Sequence, residues 1–219
     1  MESGQHIVSL SLGTVAEPSA VAVIEPRTEF ERPKDQGRKR GWENYFNVTH
    51  LDRFPAGHPI PVVVSSVSQL MSGERLTKNC HLLLDITSTG PAPVRVFESC
   101  GLYPTSFDLT NTGSEEHTGA VRRVPSRDVI SVAQVVLQTR RLKVAKDLEL
   151  ASTLIADLQS YDPKAVDRGL DLRGGRNSDL VLALAVGLWW ADDLTWGDDD
   201  ADRTPYRHPC PGRHGWMVA

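Results

Sequence analysis

The chain has 219 residues, 40% of them hydrophobic and 24% charged, a balance that sustains one well-cored domain or at most two small ones and excludes wholesale disorder. Its formal charge of -4 excludes a broadly basic surface, so any contact with nucleic acid would need a local patch. Cys80, Cys100 and Cys210 form no CxxC pair, no basic start leads into an apolar run, and the apolar stretch Leu180 to Trp190 is too short to span a bilayer. A soluble protein of a reducing, cytoplasmic compartment is expected, with no membrane partner.

In chain order, His6 to Leu12 and Ala20 to Ile24 are rich in Val, Ile and Leu and flank the turn residues of 13–19. Two strands joined as a hairpin are expected. From Glu25 to Gly41 the chain is charged and broken by Pro26, Pro33 and Gly37, which reads as a loop. Strand character returns over Trp42 to Leu51. Val63, Val64, Val67, Leu70 and Met71 recur at helical spacing and predict a helix over Pro61 to Met71. His81 to Asp85 is a continuous apolar run ending in an acid, the pattern of a central strand buried on both faces. A polar turn at Thr87 to Pro91, a short helix over Val94 to Cys100 closed by Gly101, and a strand within Tyr103 to Leu109 follow.

The clearest helices come late. Ser126 is the expected N-cap of a helix with Asp128 in its first turn and Arg140 and Arg141 at its end, striped by Val129, Val132, Ala133, Val136 and Leu137. Leu142 to Val144 makes a bridging strand. Asp147 is the expected cap of a second helix striped by Ala151, Leu154, Ile155, Leu158 and Tyr161. Gly169 to Arg176 is a Gly- and Arg-rich loop, and Asp179 to Ala191 is a helix apolar on nearly every side, fit only for the inside of a domain. Residues 1–191 are read as one domain and 192–219 as a polar, poorly ordered tail. Strands, a buried strand ending in an acid and then helices indicate a mixed α/β sheet with helices packed on it.

Three segments, in this order, resemble the nuclease domain of phage terminase large subunits, a branch of the ribonuclease-H-like fold. Ile7 to Gly13 with Glu17-Pro18-Ser19-Ala20 is similar to that family's first hairpin, which carries an aspartate before an apolar residue and glycine. Leu82 to Gly90, with Asp85, Thr87 and Gly90, is similar to its second acidic strand. Val124 to Leu158, leading into Asn177-Ser178-Asp179-Leu180-Val181-Leu182-Ala183-Leu184-Ala185, is similar to the family's helical region and its closing His-Asp-Asp-Leu-Val helix. The resemblance spans about His6 to Trp190 and implies a mixed sheet with helices on both faces. In the family this domain follows an ATPase motor, and no Gly-x-x-x-x-Gly-Lys-Ser/Thr loop occurs here.

The resemblance also implies chemistry: hydrolysis of double-stranded DNA by two divalent cations, Mg²⁺ or Mn²⁺, held by several carboxylates. Asp85 and Asp179 are the implied metal-ligating and catalytic residues, brought together over one end of the sheet. A carboxylate capping a turn is the plain alternative for Asp85, and a helix-start acid for Asp179. Ser11 stands where the first acid is expected and Ser178 where one of the final pair is, so the carboxylate set is depleted. Glu17 is a possible additional ligand, though a solvated turn acid is the commoner outcome. Arg168, Arg173 and Arg176 are candidate DNA contacts, with a structural role as the alternative, and the basic loop with Arg32, Lys34, Arg38, Lys39 and Arg40 could grip phosphate but is read first as a solvated charged loop. His208, Cys210 and His214 lack a fourth zinc ligand at suitable spacing.

Three readings follow. The chain is a terminase-like endonuclease of phage or prophage origin, acting in the host cytoplasm beside a separate terminase ATPase or portal protein. Alternatively it is a catalytically degenerate homologue that binds DNA or a partner, as the two serines favour. A third reading, an actin-like or sugar-kinase-like ATPase half, rests on Leu12-Gly13-Thr14 after a strand and lacks a second phosphate loop.

Overall fold

The computed structural model describes residues 5–31, 41–74, 76, 79–111, 113–118, 121–161 and 178–196. Its strands are His6–Ser11 (β1), Ser19–Glu31 (β2), Gly41–Phe54 (β3), Cys80–Asp85 (β4), Thr105–Thr110 (β5), Glu116–Thr118 (β6), Val121–Pro125 (β7) and Leu142–Val144 (β8). The helices are Ile60–Met71 (α1), Val94–Ser99 (α2), Ser126–Gln138 (α3), Ala151–Ser160 (α4) and Asp179–Trp196 (α5). One eight-stranded sheet runs in the order β6-β7-β5-β4-β1-β2-β3-β8. β1, β4, β5 and β7 are mutually parallel neighbours, whereas β2 pairs antiparallel with both β1 and β3. This is the mixed α/β architecture expected, with helices on both faces.

Strand alternation sorts the core into two layers. On one face Ile7, Ala22, Leu83 and Phe107 pack with residues of α3, α4 and α5. On the other, Val8, Leu10, Leu82 and Leu84 pack with Val63, Val64 and Val67 of α1 and Phe97 of α2. β4 feeds both layers, which is why its sequence is a continuous apolar run. α5 lies inside the first layer, and Leu180 to Val186 are all buried. A Cβ added at Gly187 would stand 2.5 Å from Ile24 Cδ1 and 3.1 Å from Ser9 Cβ, so the glycine lets this helix sit against β1 and β2.

Several local expectations change. The charged segment after Glu25 is not all loop: β2 continues to Glu31 and pairs with β3 from Gly41 onward. Cross-strand pairs such as Thr28 Oγ1 to Asn44 Oδ1 (2.8 Å) hold this polar part of the hairpin, which offers no apolar signal to read. β6 and β7, a short polar pair at the sheet edge, had no periodicity to predict them. Ser126 does not cap α3; Pro125 holds the cap position and Ser126 Oγ donates to the Thr110 carbonyl at 3.0 Å. Nor does Asp147 cap α4, whose N-cap is Leu150, and Ile155 faces outward while Asp157 turns inward. α5 runs past Ala191 to Trp196. The Gly- and Arg-rich loop, the basic residues 32–40 and the His208–Cys210–His214 set lie outside the described residues.

Candidate functional site

Four residues form a straight row across the sheet. Asp85 on β4 pairs with Ser11 on β1, Ser11 with Ala20 on β2, and Ala20 with Arg53 on β3. Directly opposed residues project to the same face, here the face covered by α3, α4 and α5. With strands about 4.8 Å apart, the Cα atoms of Asp85 and Arg53 are about 14 Å apart.

Asp85 is 1% exposed and its carboxylate is supplied with neutral donors. Ser11 Oγ donates to Oδ2 at 2.9 Å, and the Thr87 amide and hydroxyl both donate to Oδ1, the amide at 3.0 Å. Thr87 Oγ1 in turn accepts the Leu109 amide at 2.9 Å, tying the end of β4 to β5. A buried carboxylate needs such donors to offset its lost hydration. Ser11 therefore supplies one of the donors that hold the acid beside it.

Asp179, at the start of α5, is also 1% exposed. Its carboxylate is gripped by Arg53 through two parallel bonds, Nε to Oδ2 at 2.7 Å and Nη2 to Oδ1 at 3.0 Å. Arg53 Nη2 also donates to Oδ2 of Asp157 on α4. Asp85 and Asp179 thus share one face and one end of the sheet, but different partners hold them.

Ser178 is buried directly before α5, and its carbonyl accepts the Leu182 amide at 2.8 Å. Glu17 stays in the hairpin turn, where its carboxylate accepts Thr14 Oγ1 at 3.4 Å. Arg168, Arg173 and Arg176 lie outside the described residues.

Among the described residues, the side chains gathered here do not fit a pair of divalent cations. Two dications require several converging carboxylates, yet Asp179 and Asp157 already face a guanidinium and Asp85 already accepts three bonds from hydroxyl and amide donors. Among the described residues no three His, Cys, Asp or Glu side chains are grouped as a metal ion would require. Sequence reasoning missed Arg53 and Asp157. The available signal was phase: Arg53 stands two residues after Leu51 on the inward side of β3, and Asp157 sits between Leu154 and Leu158 of an apolar stripe. Opposite charges at buried positions seek one another.

The first-hairpin loop is closed by Ser19, by its own backbone and by the Gly57 amide. Gly13 N donates to Ser19 Oγ at 2.9 Å, and the amides of Glu17 and Gly57 both donate to the Thr14 carbonyl. A Cβ on Gly13 would lie 2.2 Å from the carbonyl oxygens of Glu17 and Pro18. The Leu-Gly after β1 therefore serves the close return of the hairpin.

No family model and no curated protein matches the chain. Solved structures do. The large terminase nuclease from thermophilic phage G20c aligns at TM-score 0.51 and 14% identity, covering 85% of this chain and 82% of that one. The same nuclease with bound magnesium aligns at TM-score 0.53 and 14% identity, over 86% and 82%. The human cytomegalovirus terminase nuclease domain, soaked with manganese, aligns at TM-score 0.50 and 12% identity, over 88% and 86%. The chain therefore has the ribonuclease-H-like fold of terminase nuclease domains.

Proposed function

We propose that the chain serves DNA packaging as a terminase-type nuclease-fold domain whose hydrolytic centre is closed by its own side chains. It acts through a protein partner, a terminase ATPase or portal, beside the double-stranded DNA such complexes handle. The reading includes a phage or prophage origin and work in the host cytoplasm. One observation carries it: Ser11 satisfies Asp85 and Arg53 satisfies Asp179, so both surviving acids are spent on internal contacts. A protein partner is favoured over a direct grip on DNA because many described cations are paired with carboxylates. Arg27 meets Glu25, Arg122 meets Glu115, Arg123 meets Asp108 and Lys143 meets Glu29, while the whole chain carries -4.

A second reading is an active endonuclease using Asp85 and Asp179 with Mg²⁺, which is bound in one neighbour, or Mn²⁺, with which another was soaked. Its support is the placement of both acids on one face at one end of the sheet. The ATPase reading is the less favoured, since the Gly13 amide already donates to Ser19 Oγ and backbone carbonyls crowd the glycine.

Plasmid DNA incubated with the chain and Mn²⁺ decides between the first two. The native protein is expected to leave the plasmid intact. Nicking or linearisation by the native chain that Asp85→Ala abolishes would establish the endonuclease and end the closed-centre reading.

A further inference from the structure

We infer that Arg53 is the resident counter-ion of this site: its guanidinium stands in for a divalent cation between Asp157 and Asp179 and locks β3, α4 and α5 together. The inference rests on the closed-centre reading above and deepens it. Three observations converge. Arg53 lies in the same cross-strand row as Asp85 and Ser11, so the cation belongs to the sheet end where the acids gather. Its fork is bidentate to Asp179 and shared with Asp157, a geometry that a planar guanidinium makes and a lysine ammonium does not. Both carboxylates are largely out of water, with side-chain exposures of 9% for Asp157 and 1% for Asp179, against 22% for Arg53.

Two buried carboxylates without a cation would be strongly unfavourable. One guanidinium leaves the trio with one net negative charge. The positive end of the α5 backbone dipole, where Asp179 sits, offsets part of it. A dication entering the same space would meet the guanidinium's positive charge and find carboxylate oxygens already engaged. Arg53 thus holds the acids in place and keeps metal out, and α5 gains a polar anchor that its apolar surface cannot supply. Arg53 acts here as a positioning residue.

The test is thermal unfolding of the full chain in EDTA and in millimolar Mn²⁺. The native midpoint should be the same in both. Arg53→Ala should unfold several degrees lower in EDTA and recover at least half of that loss in Mn²⁺, because the freed pair of carboxylates accepts the ion. Arg53→Ala/Asp157→Asn should show no recovery. Equal midpoints for native and Arg53→Ala in EDTA, or a loss that Mn²⁺ does not restore, overturns the inference.

Should Arg53→Ala fail to fold, Mn²⁺ titration of the native chain by electron paramagnetic resonance still decides. No bound Mn²⁺ dependent on Asp179 is expected. A site that disappears in Asp179→Asn sinks the counter-ion assignment. That result would take the closed-centre reading with it, whereas an Arg53→Ala loss that Mn²⁺ does not restore, with the plasmid left intact, removes the counter-ion inference alone, so the two failures are separable.

Discussion

At the scale of single residues, the site is a matter of which donors face which acids. Ser11 is neutral and brings none of a carboxylate's charge to a hard cation, but its hydroxyl gives Asp85 a third donor. Ser11→Ala should therefore lower stability by about 1–3 kcal/mol, the cost of leaving one buried acceptor position unfilled, measured by urea unfolding. An unchanged midpoint would mean the Ser11–Asp85 bond contributes nothing. Gly13 is constrained by space alone. With backbone oxygens 2.2 Å from the place of a Cβ, Gly13→Ala should cost about 3 kcal/mol and loosen the β1–β2 return. The two variants separate chemistry from sterics at one hairpin. Asp85 was legible in the sequence because it ends a continuous apolar run. Arg53 was not, because its partners lie 104 and 126 residues away along the chain.

Elements were legible in proportion to their apolar periodicity. α1 and α3 carry an apolar repeat that matches one buried face, whereas β4 and α5 are continuously apolar and buried on both faces or all round. They lie where those patterns predict, α5 extending on to Trp196. β6, β7 and the outer half of the β2–β3 hairpin are polar, so nothing in their spacing distinguishes strand from loop. Their pairing partners decide. The caps of α3 and α4 were misread for a related reason. A serine or aspartate before a helix signals a cap only if the backbone leaves it free, and Ser126 is committed to β5. At α5 the close approach gives a sharp expectation. Gly187→Ala should change stability little, since a helix-propensity gain of about 1 kcal/mol is offset by displacing the Ile24 side-chain tip. Gly187→Leu should lose about 3 kcal/mol by driving bulk into Ser9 and Ile24. Calorimetry on the pair would show whether α5 is seated as described; a silent Gly187→Leu would place it elsewhere.

Across the whole molecule, an eight-stranded sheet separates two apolar layers, and the candidate site lies on the thicker one, beneath α3, α4 and α5. Among the described residues no helix is long and apolar enough to cross a membrane. Fold class and the position of Asp85 were determined by the chain's own pattern, because apolar periodicity is local and records which faces must leave water. The ordered set of hairpin, acidic strand and closing helix carried the terminase-nuclease resemblance for the same reason. Only the tertiary structure decided what Asp85 and Asp179 contact. A carboxylate's role depends on the charge opposite it, and Arg53, Asp157 and Asp179 meet only after three distant elements have packed.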